Sequence, residues 1–200
     1  MNQTLKNALF LIAACGLSTG ASAHIGAEAH GHTSFLAGFL HPLGGMDHLA
    51  AMLAVGLWSA LTARRAGTDL LWGPLGFAGL LLVGAVVGLQ GTAIPAVEPM
   101  IAASLLVTGL LVVSSLYLPG LAAALLVGGF AVFHGVAHGV ELAGSASALQ
   151  TLAGMLGATM LLHAAGLCLG WALRSTSVWV PRLAGAGVAL FGAGLLAQMA

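Results

Sequence analysis

Eight histidines stand in this chain against five Asp and Glu and five Lys and Arg. Imidazole binds borderline divalent cations and titrates near neutral pH, so the placement of these histidines bears directly on function. The first group is the run His41-Pro42-Leu43-Gly44-Gly45-Met46-Asp47-His48. Pro42 and the glycine pair argue against a regular helix here. A break would bring His41 back towards Asp47 and His48, placing two imidazoles and a carboxylate where a divalent cation could sit. The plainer alternative is that Asp47 caps the following helix and both histidines lie at a wet interface.

The second group is Phe133-His134-Gly135-Val136-Ala137-His138-Gly139-Val140-Glu141. On an α-helix His134, His138 and Glu141 share one face and span roughly 10 Å of rise. Gly135 and Gly139 clear room beside them for another helix or an ion. The alternative is a polar packing contact between helices. A third group, His24-Ile25-Gly26-Ala27-Glu28-Ala29-His30-Gly31-His32, is short and His-rich. It reads either as an outer metal-capturing leader, through His24, His30 and His32, or as a polar leader with incidental histidines. Two further residues stand apart. His163 is a next station on a path or a hydrogen-bonded interior histidine. Glu98, before Pro99, is a helix-start carboxylate or an outer ligand.

The elements that carry these residues are dictated by composition. Of 200 residues, 60% are apolar and 5% charged, and mean hydropathy is +1.06. A soluble domain carries about 25% charged residues, so the solvent expected here is a bilayer. That excludes a soluble enzyme and a disordered tail, and with no basic field to hold phosphates it excludes nucleic-acid binding. Cys15 and Cys168 lie too far apart in sequence to suggest a disulfide framework or a thiolate metal site.

Lys6, the apolar run 8–17 and Ala21-Ser22-Ala23 form the pattern of a secretory signal peptide cleaved after Ala23. An uncleaved signal anchor, or a lipoprotein site at Cys15, are the alternatives. Six apolar segments follow, at 46–63, 71–90, 97–118, 120–141, 148–173 and 178–199. Each is near the roughly 20 residues a membrane-crossing helix needs. None shows the alternation of barrel strands. The expected fold is all-α: a polytopic membrane protein with six transmembrane helices after a cleaved signal peptide. Its parts are a signal peptide (1–23), a His-rich outer leader and approach segment (24–45) and a six-helix domain (46–199). The pairs Gly84/Gly88, Gly135/Gly139 and Gly166/Gly170 are candidate helix contacts, although a chain with 30 glycines produces such pairs by chance.

An outer N-terminus places the breaks after the first, third and fifth segments inside. Arg64, Arg65 and Arg174 then lie on the inner side, with Arg182 just within the last segment, as the positive-inside rule asks. Apart from Asp69 and His163, every Asp, Glu and His beyond residue 23 falls outside or in the outer half. This one-sidedness describes a cation-attracting mouth.

The runs HPLGGMDH and FHGVAHGVE, with a signal-led His-bearing start and six spans, resemble the HupE/UreJ family of nickel/cobalt permeases. The resemblance covers essentially the whole chain after the signal, without departure at the ligand-type positions. It implies import of Ni²⁺, in some members Co²⁺, across the bacterial inner membrane to supply hydrogenase or urease maturation. The mature N-terminus would be periplasmic. It also implies metal-site roles for His41, Asp47, His48, His134, His138 and Glu141. Ligand chemistry by itself admits Zn²⁺ as well. The expected partners are the transported ion and the lipid bilayer, with no permanent cofactor and no catalytic residue. No G-x-x-x-x-G-K-[ST] run is present, so the ion gradient or membrane potential is the expected driving force. A membrane metal sensor or metallochaperone that binds without flux is the alternative. An intramembrane metallohydrolase is disfavoured, because no H-E-x-x-H run is present.

Overall fold

A computed structural model describes residues 34–92 and 94–200. The expected signal peptide and the leader histidines His24, His30 and His32 lie outside the described residues. Among the described residues seven α-helices follow one another: α1 Phe35–Gly44, α2 Met46–Thr62, α3 Trp72–Leu89, α4 Val97–Ser114, α5 Gly120–Glu141, α6 Ala148–Leu173 and α7 Trp179–Gln198. A single 3₁₀ turn, Thr68–Leu70, joins α2 to α3. Helices α3 to α7 are each long and apolar enough to cross a membrane, while α1 and α2 are shorter apolar helices.

The helix starts follow from local chemistry. Pro74, Pro99 and Pro181 each occupy the third residue of their helix. There a missing N–H is harmless, because the first four N–H groups have no partner within the helix. Helix α4 ends at Ser114, short of the expected 118. Ser115 takes a left-handed conformation at φ 50°, and Pro119 disfavours helix in the residue before it. The non-helical Leu116 carbonyl accepts a bond from Trp58 Nε1 at 2.9 Å.

The expectation of irregular backbone from His41 is corrected. Helix α1 runs through His41 and Pro42 to Gly44. Its start is fixed by Ser34, whose hydroxyl accepts the Ala37 N–H at 3.1 Å. Pro42 removes one helical bond, to the Gly38 carbonyl, without ending the helix. The break falls on Gly45 alone, extended at φ −92° and ψ 117°, and α2 begins with the next residue.

Close backbone approach at glycines sets the packing. Gly76 lies against Ala124, Gly84 against Val132 and Gly88 against Val136, so α3 and α5 run parallel. From the other side, Gly135 meets Leu81 and Gly139 meets Ala85. Two of the glycine pairs read from the sequence are thus the two sides of one seam. Gly56 meets His163 and Gly166, and Gly170 meets Leu57 and Ala60, which makes α2 and α6 parallel. Gly109 against Gly185 and Ala189, with Gly192 against Ala102 and Leu106, makes α4 and α7 antiparallel. Helix α1 lies antiparallel on α6 through Gly38 with Thr151 and Gly154 with Phe35.

The outer surface is apolar: Leu110, Leu125, Leu149, Leu183 and Leu190 are exposed, as a lipid solvent requires. Three of the four arginines among the described residues pair with aromatics. Arg64 lies 4.2 Å from the Tyr117 ring centroid, Arg174 4.6 Å from Trp171 and Arg182 5.6 Å from Trp179. Arg174 also donates to the Ala63 carbonyl at 2.8 Å. Such pairs suit a membrane–water interface.

A Cβ at Gly84 would collide with the Val132 backbone, which cannot rotate away, whereas one at Gly129 meets nothing within 4 Å. Gly84→Val is therefore expected to cost at least about 2 kcal/mol, read as a lowered melting temperature of the purified protein in detergent. Gly129→Val should leave that temperature unchanged.

Candidate metal site

The break at Gly45 turns the chain sharply between α1 and α2, so the last turn of one helix and the first turn of the next approach the same point. His41 comes from α1, and Asp47 and His48 come from α2. The α3–α5 seam carries α5 beside them, with His134, His138 and Glu141 in its C-terminal half. Ligand atoms of His41, His48 and His138 all lie within 4.8 Å of one another, a spacing able to hold one metal ion. His41 is exposed, while His48 and His138 are 3% and 2% exposed. The group thus opens outward and is closed behind.

Carboxylate partners favour one tautomer at each of two rings. His48 Nδ1 lies 2.9 Å from Asp47 Oδ1, and His138 Nδ1 lies 3.4 Å from Glu141 Oε2. An ionised carboxylate only accepts, so each Nδ1–H donates to it. Each neutral ring then presents a bare lone pair at Nε2. Those two Nε2 atoms face each other at 2.8 Å. Two acceptors so close repel unless a cation, a proton or a metal ion, lies between them. A carboxylate behind an imidazole is also the usual support of a metal-ligating histidine, raising its basicity and holding its ring.

His134 lies one helical turn deeper on α5 and is fully buried. Its ring centroid is 5.3 Å from that of His48. The Ser104 hydroxyl gives its single hydrogen to the Ile101 carbonyl at 2.6 Å and lies 3.0 Å from His134 Nε2. It therefore accepts from Nε2–H, which leaves Nδ1 of His134 as the lone-pair nitrogen. That atom has no protein partner. Phe77 neighbours His134, with ring centroids 5.6 Å apart, and also His163, at 5.2 Å.

The structure thus distributes the expected site residues. His41, His48 and His138 meet; Asp47 and Glu141 stand behind two of them; His134 follows inward. His163 is not part of the three-histidine group and shares Phe77 as a neighbour with His134. Glu98 is exposed in the first turn of α4 and is not part of the three-histidine group. Ser104 and Phe77 escaped the sequence reading. Ser104 and Thr108 do form a four-residue polar repeat in an otherwise apolar helix, and the Thr108 hydroxyl donates to the Ser104 carbonyl at 2.7 Å. Nothing in that repeat points to His134, however, and one more Phe in an apolar span carries no signal.

The HupE / UreJ protein family profile matches residues 12–195. Protein HupE of Rhizobium leguminosarum bv. viciae is 41% identical over 188 residues, covering 92% of this chain and 94% of that protein. No solved structure matches.

Asp47→Asn removes the charge that holds and polarises His48. It is expected to weaken Ni²⁺ binding by about 10- to 100-fold, measured by titration calorimetry on the purified protein. Asp69→Asn, in the loop at the other end of α2, should leave the affinity unchanged.

Proposed function

The chain belongs to the HupE/UreJ family, and from that premise we propose that it is a secondary permease importing Ni²⁺, or Co²⁺, across the bacterial inner membrane. The cargo would supply the maturation of a nickel enzyme such as a hydrogenase or urease. The observation that carries this reading is the pair of Nε2 atoms 2.8 Å apart, each turned towards the other by a carboxylate. The two nitrogens are close enough for one ion to bind both, and imidazole suits Ni²⁺ and Co²⁺ as well as Zn²⁺; the choice of nickel or cobalt rests on the family.

Six crossings are the finer topology we adopt. Alternating crossings require α2 and α6 to run parallel, α3 and α5 to run parallel, and α4 and α7 to run antiparallel. The glycine contacts support each of these. Helix α2, with 17 residues, is long enough to cross when flanked by interfacial residues. Arg64, Arg65, Arg174 and Arg182 then face the cytoplasm, and the three-histidine group faces the periplasm, as would the mature N-terminus.

In this reading the hydrated ion is first gathered by His24, His30 and His32 after signal cleavage behind Ala23. It exchanges water for His41, His48 and His138. Asp47 and Glu141 offset its two charges from behind, since a bare divalent ion in a low-dielectric site is prohibitive without them. His134 Nδ1 offers the next nitrogen inward. The membrane potential draws a cation inward by roughly 2.3 kcal/mol per charge per 100 mV, so no nucleotide hydrolysis is needed and no catalytic residue is assigned.

Radioactive nickel uptake into liposomes carrying the purified protein and an inside-negative potential tests this reading. Potential-dependent uptake is expected, with His138→Ala lowering it by at least about tenfold. Excess Co²⁺ should compete more strongly than excess Zn²⁺. Binding without flux would instead identify a membrane metal sensor or chaperone.

A further inference from the structure

Two helix faces lead inward from the three-histidine group. On α2 the face reads His48, Met52, Val55, Ser59; on α5 it reads His138, His134, Ala131, Val127, Ala123, each at helical spacing. Both end at a cavity lined by Ser59, Thr62, Ala123, Tyr117 and the inner-loop Asp69. Between the outer histidines and this cavity the two faces are closed by Met52, Val55, Ala131 and Val127, which with Phe77 form one buried apolar cluster. An ion released by His134 would meet no ligand on α2 or α5 across that stretch.

His163 stands at this gap. Gly56, between Val55 and Ser59 on α2, packs directly on the His163 backbone carbonyl. The ring is 1% exposed, and neither Nδ1 nor Nε2 has a hydrogen-bond partner. Its one aromatic neighbour among the described residues is Phe77, whose ring also touches His134. An apolar side chain of similar size would fill the site without stranding two hydrogen-bonding atoms, so packing alone does not account for an imidazole here. Both nitrogens remain open to a partner that arrives from elsewhere.

We propose that His163 is a second, transient coordination site for the transported divalent ion, beside Phe77 and before the Asp69 cavity. The proposal rests on reading the outer histidines as metal ligands. The ion would pass from His134 to His163 past the Phe77 ring. It would then reach Ser59, Thr62 and Asp69, where water is available again. His163 thereby divides one long apolar step into two shorter ones.

The test uses the full protein in liposomes, with Ni²⁺ alone as the probe, and measures equilibrium binding and uptake in parallel. His163→Leu and His163→Gln are expected to bind Ni²⁺ within about twofold of the native protein and to import it at least about tenfold more slowly. His163→Cys, which restores a metal ligand, should recover more uptake than His163→Gln, a readout that a packing role would not move. Native uptake in His163→Gln overturns the proposal. If His163→Leu loses binding through misfolding, His163→Gln decides; loss of binding there as well also overturns it, since the residue would then serve the outer site or the fold. The outer-site reading is judged separately by His138→Ala, where undiminished binding would count against that reading alone.

Discussion

Two imidazole Nε2 atoms facing each other 2.8 Å apart are the constraint around which this structure is arranged. In water such a pair would separate. Here each ring is held from behind by a carboxylate and from the sides by helices, an arrangement that favours a cation between the two nitrogens. Three structural features maintain it. Gly45 ends α1 and starts α2 within one residue, which puts His41 and His48 on the same spot. The glycines of α3 and α5 bring those helices into backbone contact and set the depth of His138. Asp47 and Glu141 then favour one tautomer at each ring.

A lipid-facing surface explains why so few charges remain and why each is placed. Arg64, Arg174 and Arg182 lie over aromatic rings at the ends of α2, α6 and α7, where long side chains reach water. The acids that matter lie behind histidines, where they stabilise a cation without facing hydrocarbon. The same solvent makes glycine useful. Between helices in lipid, close packing and polar contacts drive association, and a missing side chain lets both form.

Much of this was legible in residue patterns. Four of the segment boundaries lie beside Pro or Gly, and the observed helices begin and end close to them. The spacing of His134, His138 and Glu141 put three polar groups on one face of α5. Helix α1 was not legible, because Pro42 and Gly44-Gly45 look like a loop when the capping by Ser34 and the support of α6 cannot be seen. Nor could spacing tell which nitrogens meet. His48 and His138 are 90 residues apart, and His134 looks equivalent to His138 until Ser104 is found to hold its Nε2. The roles diverge through tertiary neighbours: His138 joins His41 and His48, and His134 keeps an unpartnered Nδ1 beside them.

The central claim is that neutral imidazoles backed by carboxylates strip and hold the ion. X-ray absorption at the nickel edge of the purified, Ni²⁺-loaded protein tests it most directly. The account predicts two or three imidazole ligands at about 2.1 Å, with the outer-shell scattering that histidine rings produce, and loss of one such ring in His48→Ala. A shell of oxygen atoms without ring scattering, unchanged in that variant, would contradict it.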